Sequence, residues 1–160
     1  MKIRTGLGQD SHRFDSDTSA KPLILGGVII DGCPGLDGNS DADVVLHALT
    51  NAVSGITGVN ILGAISDKMC LEDGIKDSRP YLQKALEYLD GWRIVHVSMS
   101  IEAKRPKLSP HIDKIKESVA EILGLDKCEV GLTATSGEGL TAFGRGEGIQ
   151  VFAIMTAVKD

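Results

Sequence analysis

The sequence predicts one α+β domain over residues 1–160. It is a mainly antiparallel four-stranded sheet with three helices on one face and a small N-terminal hairpin, a ferredoxin-like arrangement. Three observations carry this. The periodicities run strand, hairpin, helix, helix, strand, helix, strand, strand. The stretch RIVHVSMSIEA alternates strictly: Val95, Val97, Met99 and Ile101 take one side, and His96, Ser98, Ser100 and Glu102 the other. The length of 160 residues, at 42% hydrophobic and 24% charged, suits one core without repeats or linkers.

Residues 2–9 read as the first strand. PLILGGVII (22–30) reads as a hairpin broken at Gly26-Gly27, and DGCPGLDGNS (31–40) as turns. A helix is expected from about Ser40, a good N-cap with acids in the turn that follows. Its stripe is Val45, Leu49, Ala52, Val53 and Ile56. Residues 59–76 read as a loop. A second helix starts near Ser78, with Pro80 near its first position and Leu82, Ala85, Leu86 and Leu89 inward. Ser109-Pro110 opens the third, with Ile112, Ile115, Val119, Ile122 and Leu123 inward. CEVGLTAT and GIQVFAIMTAV are the last strands, flanking SGEGLTAFGRGEG. The final strand is apolar on both faces: Val151, Ala153 and Met155 against Phe152, Ile154 and Val158. Three helices cover one face, so the other calls for a symmetric partner, and the domain is expected to assemble as an oligomer.

Composition excludes several function classes. Seventeen Lys+Arg against 22 Asp+Glu give a net charge of −5, with no basic run, which argues against nucleic acid. An anionic ligand would have to be held locally, by metal, helix ends and a few cations. No apolar run is long enough for a membrane span, and MKIRTGLGQD lacks the apolar region of a signal peptide. Cys33, Cys70 and Cys128 are odd in number and form no CxxC. A reduced, cytoplasmic protein is the expectation.

The chemistry begins at Asp10 and His12. Residues i and i+2 of a strand point to one side, so the pair aims at one point. A metal, a general base pair or a surface hydrogen bond would each explain it. His47, on the first predicted helix with Asp43 one turn before it, offers a third ligand. Asp-His-His with an open fourth position is the catalytic type of zinc site; a surface His12 and a satisfied core His47 would read the same. Ser40 and the amides around it form a candidate anion site at a helix N-terminus, or merely a cap. Thr135, Ser136 and Glu138 gather two hydroxyls and a carboxylate at a strand end. Glu138 could hold Mg²⁺ on a diphosphate, or the stretch could be a polar turn. GLGQDS and GRGEG lack the dinucleotide-binding pattern, and His96 and His111 read as ordinary surface histidines.

Taken together, G-x-D-x-H, S-D-x-D-x-x-x-H-A-L, D-S-R, R-P-K-L-x-P-H-I and G-R-G-E-G-I, in this order and over nearly the whole chain, resemble the 2-C-methyl-D-erythritol 2,4-cyclodiphosphate synthase family of non-mevalonate isoprenoid biosynthesis. The resemblance implies a homotrimer with active sites between subunits. It implies a cytidyl diphosphate substrate, 4-diphosphocytidyl-2-C-methyl-D-erythritol 2-phosphate, cyclised with release of CMP. It implies that Asp10, His12 and His47 bind one Zn²⁺ per chain, and that Asp10 and His12 also border the substrate. Ser40 and Gly63 fall at substrate-binding positions. Ala103, Lys107 and Leu108 fall in the cytidine pocket. Thr135, Ser136 and Glu138 match the stretch gripping the diphosphate and its Mg²⁺ or Mn²⁺, and Arg145 matches an arginine beside the trimer axis. Asn39 stands where the family has a histidine thought to stabilise the transition state, and Ser136 where it has threonine; these are the catalytic positions by resemblance. The ribose-holding Asp falls at Ile61, beside Asn60, and the family's aromatic near the end of the glycine-rich turn falls at Ala142. A zinc phosphohydrolase acting on another nucleotide diphosphate and a non-catalytic metal- and nucleotide-binding relative are the alternatives.

Overall fold

A computed structural model describes residues 1–160. Strands β1 (Lys2–Arg13), β4 (Arg93–Glu102), β5 (Val130–Thr135) and β6 (Gly148–Lys159) form one sheet in the order β1-β6-β4-β5. The β1–β6 and β6–β4 pairs are antiparallel and β4–β5 is parallel, so the sheet is mixed but mainly antiparallel. Strands β2 (Pro22–Leu25) and β3 (Val28–Pro34) make the hairpin. Gly26 and Gly27 form its turn in the left-handed region, with φ 62° and 76°, as a two-residue hairpin loop requires.

Helices α1 (Val44–Thr57), α2 (Ala64–Asp67), α3 (Arg79–Leu86) and α4 (Ile112–Leu123) complete the chain. No helix is long and apolar enough to cross a membrane. The 59–76 segment is not the plain loop the sequence suggests: α2 and a π-helical turn, Lys68–Glu72, occupy it. It was unreadable because four- and five-residue turns are too short to establish a period.

The start of α1 is the main correction. Ser40 does not cap the helix. Asp43 does, its carboxylate accepting from Val45 N at 3.1 Å and Leu46 N at 3.0 Å. The same carboxylate accepts from Gly26 N at 2.9 Å and Gly27 N at 2.6 Å, tying the hairpin turn to the helix. Burial pushes its carboxyl up to about 6, and the amides of Leu46, Gly27 and Gly26 oppose that rise. The first-turn amides are therefore spent on a buried carboxylate, and the anion site expected at Ser40's helix N-terminus is absent. Ser40 Oγ instead accepts from Ala42 N at 3.1 Å. Asp43 does not share the metal-facing side with His47 either; it points into the core.

Helix α1 is buried almost all round, wedged between the sheet and α3. It lies unusually close to β1. A Cβ on Gly6 would stand 2.0 Å from Ala52 O, and one on Gly8 would stand 1.8 Å from Ala48 O. The glycines of GLG therefore serve helix–strand contact, opposite Ala48, Ala52 and Gly55. The other sheet face is open: Leu7 (62% exposed), Phe152 (45%) and Ile154 (49%) stand on it, with Leu7 opposite Ile154.

Candidate metal centre

The alternation of β1 puts Gly6, Gly8, Asp10 and His12 on the helix-facing side. Because the glycines let α1 settle onto the strand, His47 reaches the same point from above. Its Nδ1 is 3.0 Å from Asp10 Oδ2, and His12 Nε2 is 3.2 Å from that same oxygen. The three donor atoms lie within 4.8 Å of one another. Tetrahedral zinc with bonds of about 2.0–2.2 Å separates its donors by roughly 3.3–3.6 Å, so these two separations fit with small adjustment.

Hydrogen bonding on the far side of each ring decides what the near side offers. His12 Nδ1 lies 2.7 Å from the Asp37 carbonyl oxygen, an acceptor only, so Nδ1 carries the proton. His47 Nε2 lies 2.9 Å from Ser78 Oγ, and Ser78 donates its own hydroxyl proton to Asp41 Oδ1. In each neutral ring the nitrogen facing Asp10 therefore presents a lone pair. Two lone pairs and a carboxylate oxygen repel one another unless a cation stands among them. Without metal that cation is a proton: Asp10 raises the His12 pKa above its ordinary value by hydrogen bond, against the effect of burial. Burial alone would raise the Asp10 carboxyl, but hydrogen bonds and charge from both histidines bring it down to about 2. This donor set suits a divalent ion replacing a proton.

The triad opens into a cavity of about 250 Å³ that Asn39, Ser40, Leu62 and Gly63 also line. Asn39 supplies an amide and Ser40 a hydroxyl beside the metal position. Ile61 does not reach this cavity: its side chain is fully buried in the core, and Leu62 and Gly63 line the wall. The position carried over for ribose binding thus faces inward, where an apolar residue belongs, and neighbouring Asn60 is exposed.

The remaining expected site residues gather elsewhere. Ala103, Lys107, Leu108, Thr135 and Ser136 line a separate groove of about 290 Å³ at the C-terminal ends of β4 and β5. Ala103 N donates to Thr135 O at 3.0 Å, closing its floor. Glu138 lies on the turn that follows, in the left-handed region at φ 51°, and its carboxylate accepts from Ser136 Oγ at 3.2 Å. Thr141 Oγ1 donates to Glu102 Oε1, fastening this turn to the end of β4. Arg145 is exposed and pairs with Glu147 at 2.9 Å. Within one chain, the metal cavity and the groove have no lining residue in common. His12 borders both the metal cavity and a small cavity shared with Ala142, Phe143 and Glu147, which brings the glycine-rich turn alongside the metal centre.

Reading the sequence missed Asp37, Asp41 and Ser78 as partners of the triad. The signal for two of them was present: Asp41 stands in S-D-x-D and Ser78 in D-S-R.

Comparison with known proteins bears on the whole chain. The YgbB family model matches residues 3–158. A 2-C-methyl-D-erythritol 2,4-cyclodiphosphate synthase of Chlamydia trachomatis (serovar L2b) is 46% identical over 157 residues, covering 98% of this chain and 88% of that protein. The synthase of Chlamydia muridarum is equally similar, at 46% over 157 residues. Among solved structures, the bifunctional IspDF of Campylobacter jejuni superposes with a TM-score of 0.87 at 30% identity; the match covers 98% of this chain but 42% of that longer one. A CDP complex of Plasmodium falciparum IspF superposes with a TM-score of 0.84 at 26% identity, covering 99% of this chain and 97% of that one.

Proposed function

The chain belongs to the YgbB family of 2-C-methyl-D-erythritol 2,4-cyclodiphosphate synthases, and from that membership and the metal centre we propose that it is a zinc-dependent intramolecular phosphoryl transferase. Its substrate is 4-diphosphocytidyl-2-C-methyl-D-erythritol 2-phosphate. An oxygen of the 2-phosphate attacks the β-phosphorus, the bond from that phosphorus to the bridging oxygen of CMP breaks, and CMP leaves with that oxygen. The product is the cyclic 2,4-diphosphate.

The observation that supports this most is the convergence of Asp10 Oδ2, His12 Nε2 and His47 Nδ1 beside Asn39 and Ser40. Bound zinc would supply Lewis-acid neutralisation of phosphate charge at that point. Asn39 and Ser40 would donate hydrogen bonds to phosphate oxygens and fix their direction. The chain offers no side-chain nucleophile because none is required: both reacting groups belong to one substrate, and positioning does the work. The groove of Ala103, Lys107 and Leu108 would take the cytidine. Thr135, Ser136 and Glu138 would hold the diphosphate with Mg²⁺ or Mn²⁺ through the Glu138 carboxylate. On this reading Asn39, beside the metal position, and Ser136, from the neighbouring subunit's groove, would act closest to the reacting groups.

This division of labour requires a neighbouring copy, because one chain keeps the metal centre and the nucleotide groove apart. A homotrimer that covers Leu7, Phe152 and Ile154 on the open sheet face, with Arg145 near its axis, would bring one subunit's groove to the next subunit's metal.

The test is incubation with the cytidyl substrate and zinc, with phosphorus NMR of the products. A cyclic diphosphate together with CMP is the expected result. A linear methylerythritol diphosphate would make the protein a phosphohydrolase, and binding without turnover would make it a non-catalytic relative. Metal analysis should give one zinc per chain, lost in the Asp10→Ala, His12→Ala and His47→Ala variants; full occupancy in all three would remove the centre from this position.

A further inference from the structure

Ser78 sits at the N-cap of α3, the position where a serine hydroxyl ordinarily accepts from a helix amide. It makes no such bond. It is fully buried, and its hydroxyl is committed elsewhere: it donates to Asp41 Oδ1 and lies 2.9 Å from His47 Nε2. Asp41 is organised to receive it. Its Oδ1 also accepts from Asp43 N at 3.0 Å, and its Oδ2 accepts from Ser78 N at 3.1 Å. With N–H or O–H donors on both oxygens, this carboxylate acts only as an acceptor, and the Ser78 proton has one place to go.

We propose that Asp41 and Ser78 are positioning residues for the metal centre: they hold the His47 proton on Nε2 and so aim the Nδ1 lone pair at the metal position. The argument is one of donor count. Ser78 has one proton and gives it to Asp41. Its oxygen can then only accept from His47, so the ring must carry its proton on Nε2. Without this relay the preference reverses, because Nδ1–H would donate to Asp10 Oδ2, 3.0 Å away. The proton would then occupy the ligating nitrogen. Metal-bound histidines commonly fix their tautomer through a partner on the other nitrogen. Here that partner reaches the ring from the start of α3, at Ser78 of the D-S-R stretch. The same contact orients the ring, since the buried Ser78 Oγ stands 2.9 Å from His47 Nε2.

The metal role of the relay rests on the zinc reading above, whereas its effect on the tautomer does not. The experiment separates them. Long-range proton–nitrogen correlation spectra of the metal-free protein at about pH 8.5 report the neutral tautomer of each histidine. The wild-type protein should show His47 with its proton on Nε2. Ser78→Ala should shift the population toward Nδ1–H and weaken zinc binding, measured by chelator competition, by about 10- to 100-fold. Ser78→Thr, which keeps the hydroxyl, should restore both. Because the Ser78 hydroxyl caps no helix, the far-ultraviolet circular dichroism of Ser78→Ala should match the wild type. Should that variant fail to fold, Asp41→Ala, at a partly exposed position, removes the acceptor of the Ser78 proton, frees that proton to donate to His47 Nε2, and reads the same relay. A wild-type His47 protonated on Nδ1, or a Ser78→Ala protein with unchanged tautomer and unchanged zinc affinity, would overturn the proposal. A wild-type protein with the Nε2–H tautomer that binds no zinc would uphold the relay and overturn the metal reading alone.

Discussion

Gly8→Ala should disable the metal centre without touching a ligand. The added Cβ would stand 1.8 Å from Ala48 O and 2.5 Å from Ala52 N, whereas ordinary contacts begin near 3.4 Å. Both obstacles are helix backbone and cannot swing aside. Strand and helix must part by about 1.6 Å, the difference between 3.4 and 1.8 Å. His47 is next to Ala48 on α1, and Asp10 is two residues from Gly8 on β1, so the parting falls on the His47–Asp10 separation. That separation is now 3.0 Å and would open to about 4.6 Å if all of the displacement reached it. Zinc bonds tolerate about 0.2 Å. His47 would leave the coordination shell, and zinc affinity should fall by at least about 100-fold. Overpacking of this size costs about 3 kcal/mol of stability, the upper part of the usual range. Two other substitutions grade the effect. A Cβ on Gly55 would lie 3.3 Å from Gly6 Cα, across the same contact, and one on Gly131 would lie 3.5 Å from Ser98 Oγ, far from it. Urea denaturation and chelator competition should rank the loss as Gly8→Ala, then Gly55→Ala, then Gly131→Ala near wild type. A Gly8→Ala protein with wild-type midpoint and zinc affinity would refute the claim that this close approach builds the centre.

Ile61→Asp should cost about 3–5 kcal/mol, as expected for an unpaired charge in a fully buried apolar site, and should not tighten CDP binding in calorimetric titration; a well-folded variant that binds CDP more tightly would instead place residue 61 at the ribose. Metal-free stability should be highest below His12's unfolded pKa of about 6.5 and should fall as pH rises through its raised folded value, because the folded state holds that proton more tightly. Zinc affinity should rise over the same interval; melting temperatures with and without zinc from pH 6 to 9 check both, and parallel curves would contradict proton–metal exchange at His12. Light scattering should give a trimer, and Ile154→Asp, on the open sheet face at 49% exposure, should shift it toward monomer; a monomeric wild type at micromolar concentration would leave the apolar face without its proposed cover.

What the sequence disclosed and what it hid follow from one difference, between interactions that repeat along the chain and interactions that cross it. The alternation of β4 and the stripes of α3 and α4 are periodic, and the two glycines of the β2–β3 turn are adjacent, so these elements were legible. Asp10 and His12 were legible as a pair for the same reason. Ser40 was misread as the cap of α1 because Ser40 and Asp43 are both good caps in sequence. The choice between them was made by Gly26 and Gly27, whose amides need a buried acceptor that a hydroxyl could not supply to four donors at once. Ile61 was placed at the ribose by position along the chain, although its side chain is fully buried in the core, in a short stretch between α1 and α2 that has no period to read. The same holds for Ser78, which looks like a helix start and serves as a histidine's partner. It holds for Gly6 and Gly8 too, whose spacing in sequence announces no role and which are the space that Ala48 and Ala52 fill. In each case the residue type was correct for a local role, and a partner tens of residues away gave it another. The metal centre stands where three such long-range contacts meet: the GLG strand against α1, Asp37 behind His12, and Asp41–Ser78 behind His47. Spacing made Asp10, His12 and His47 candidates for one site, but the direction of their lone pairs could be read only from the fold.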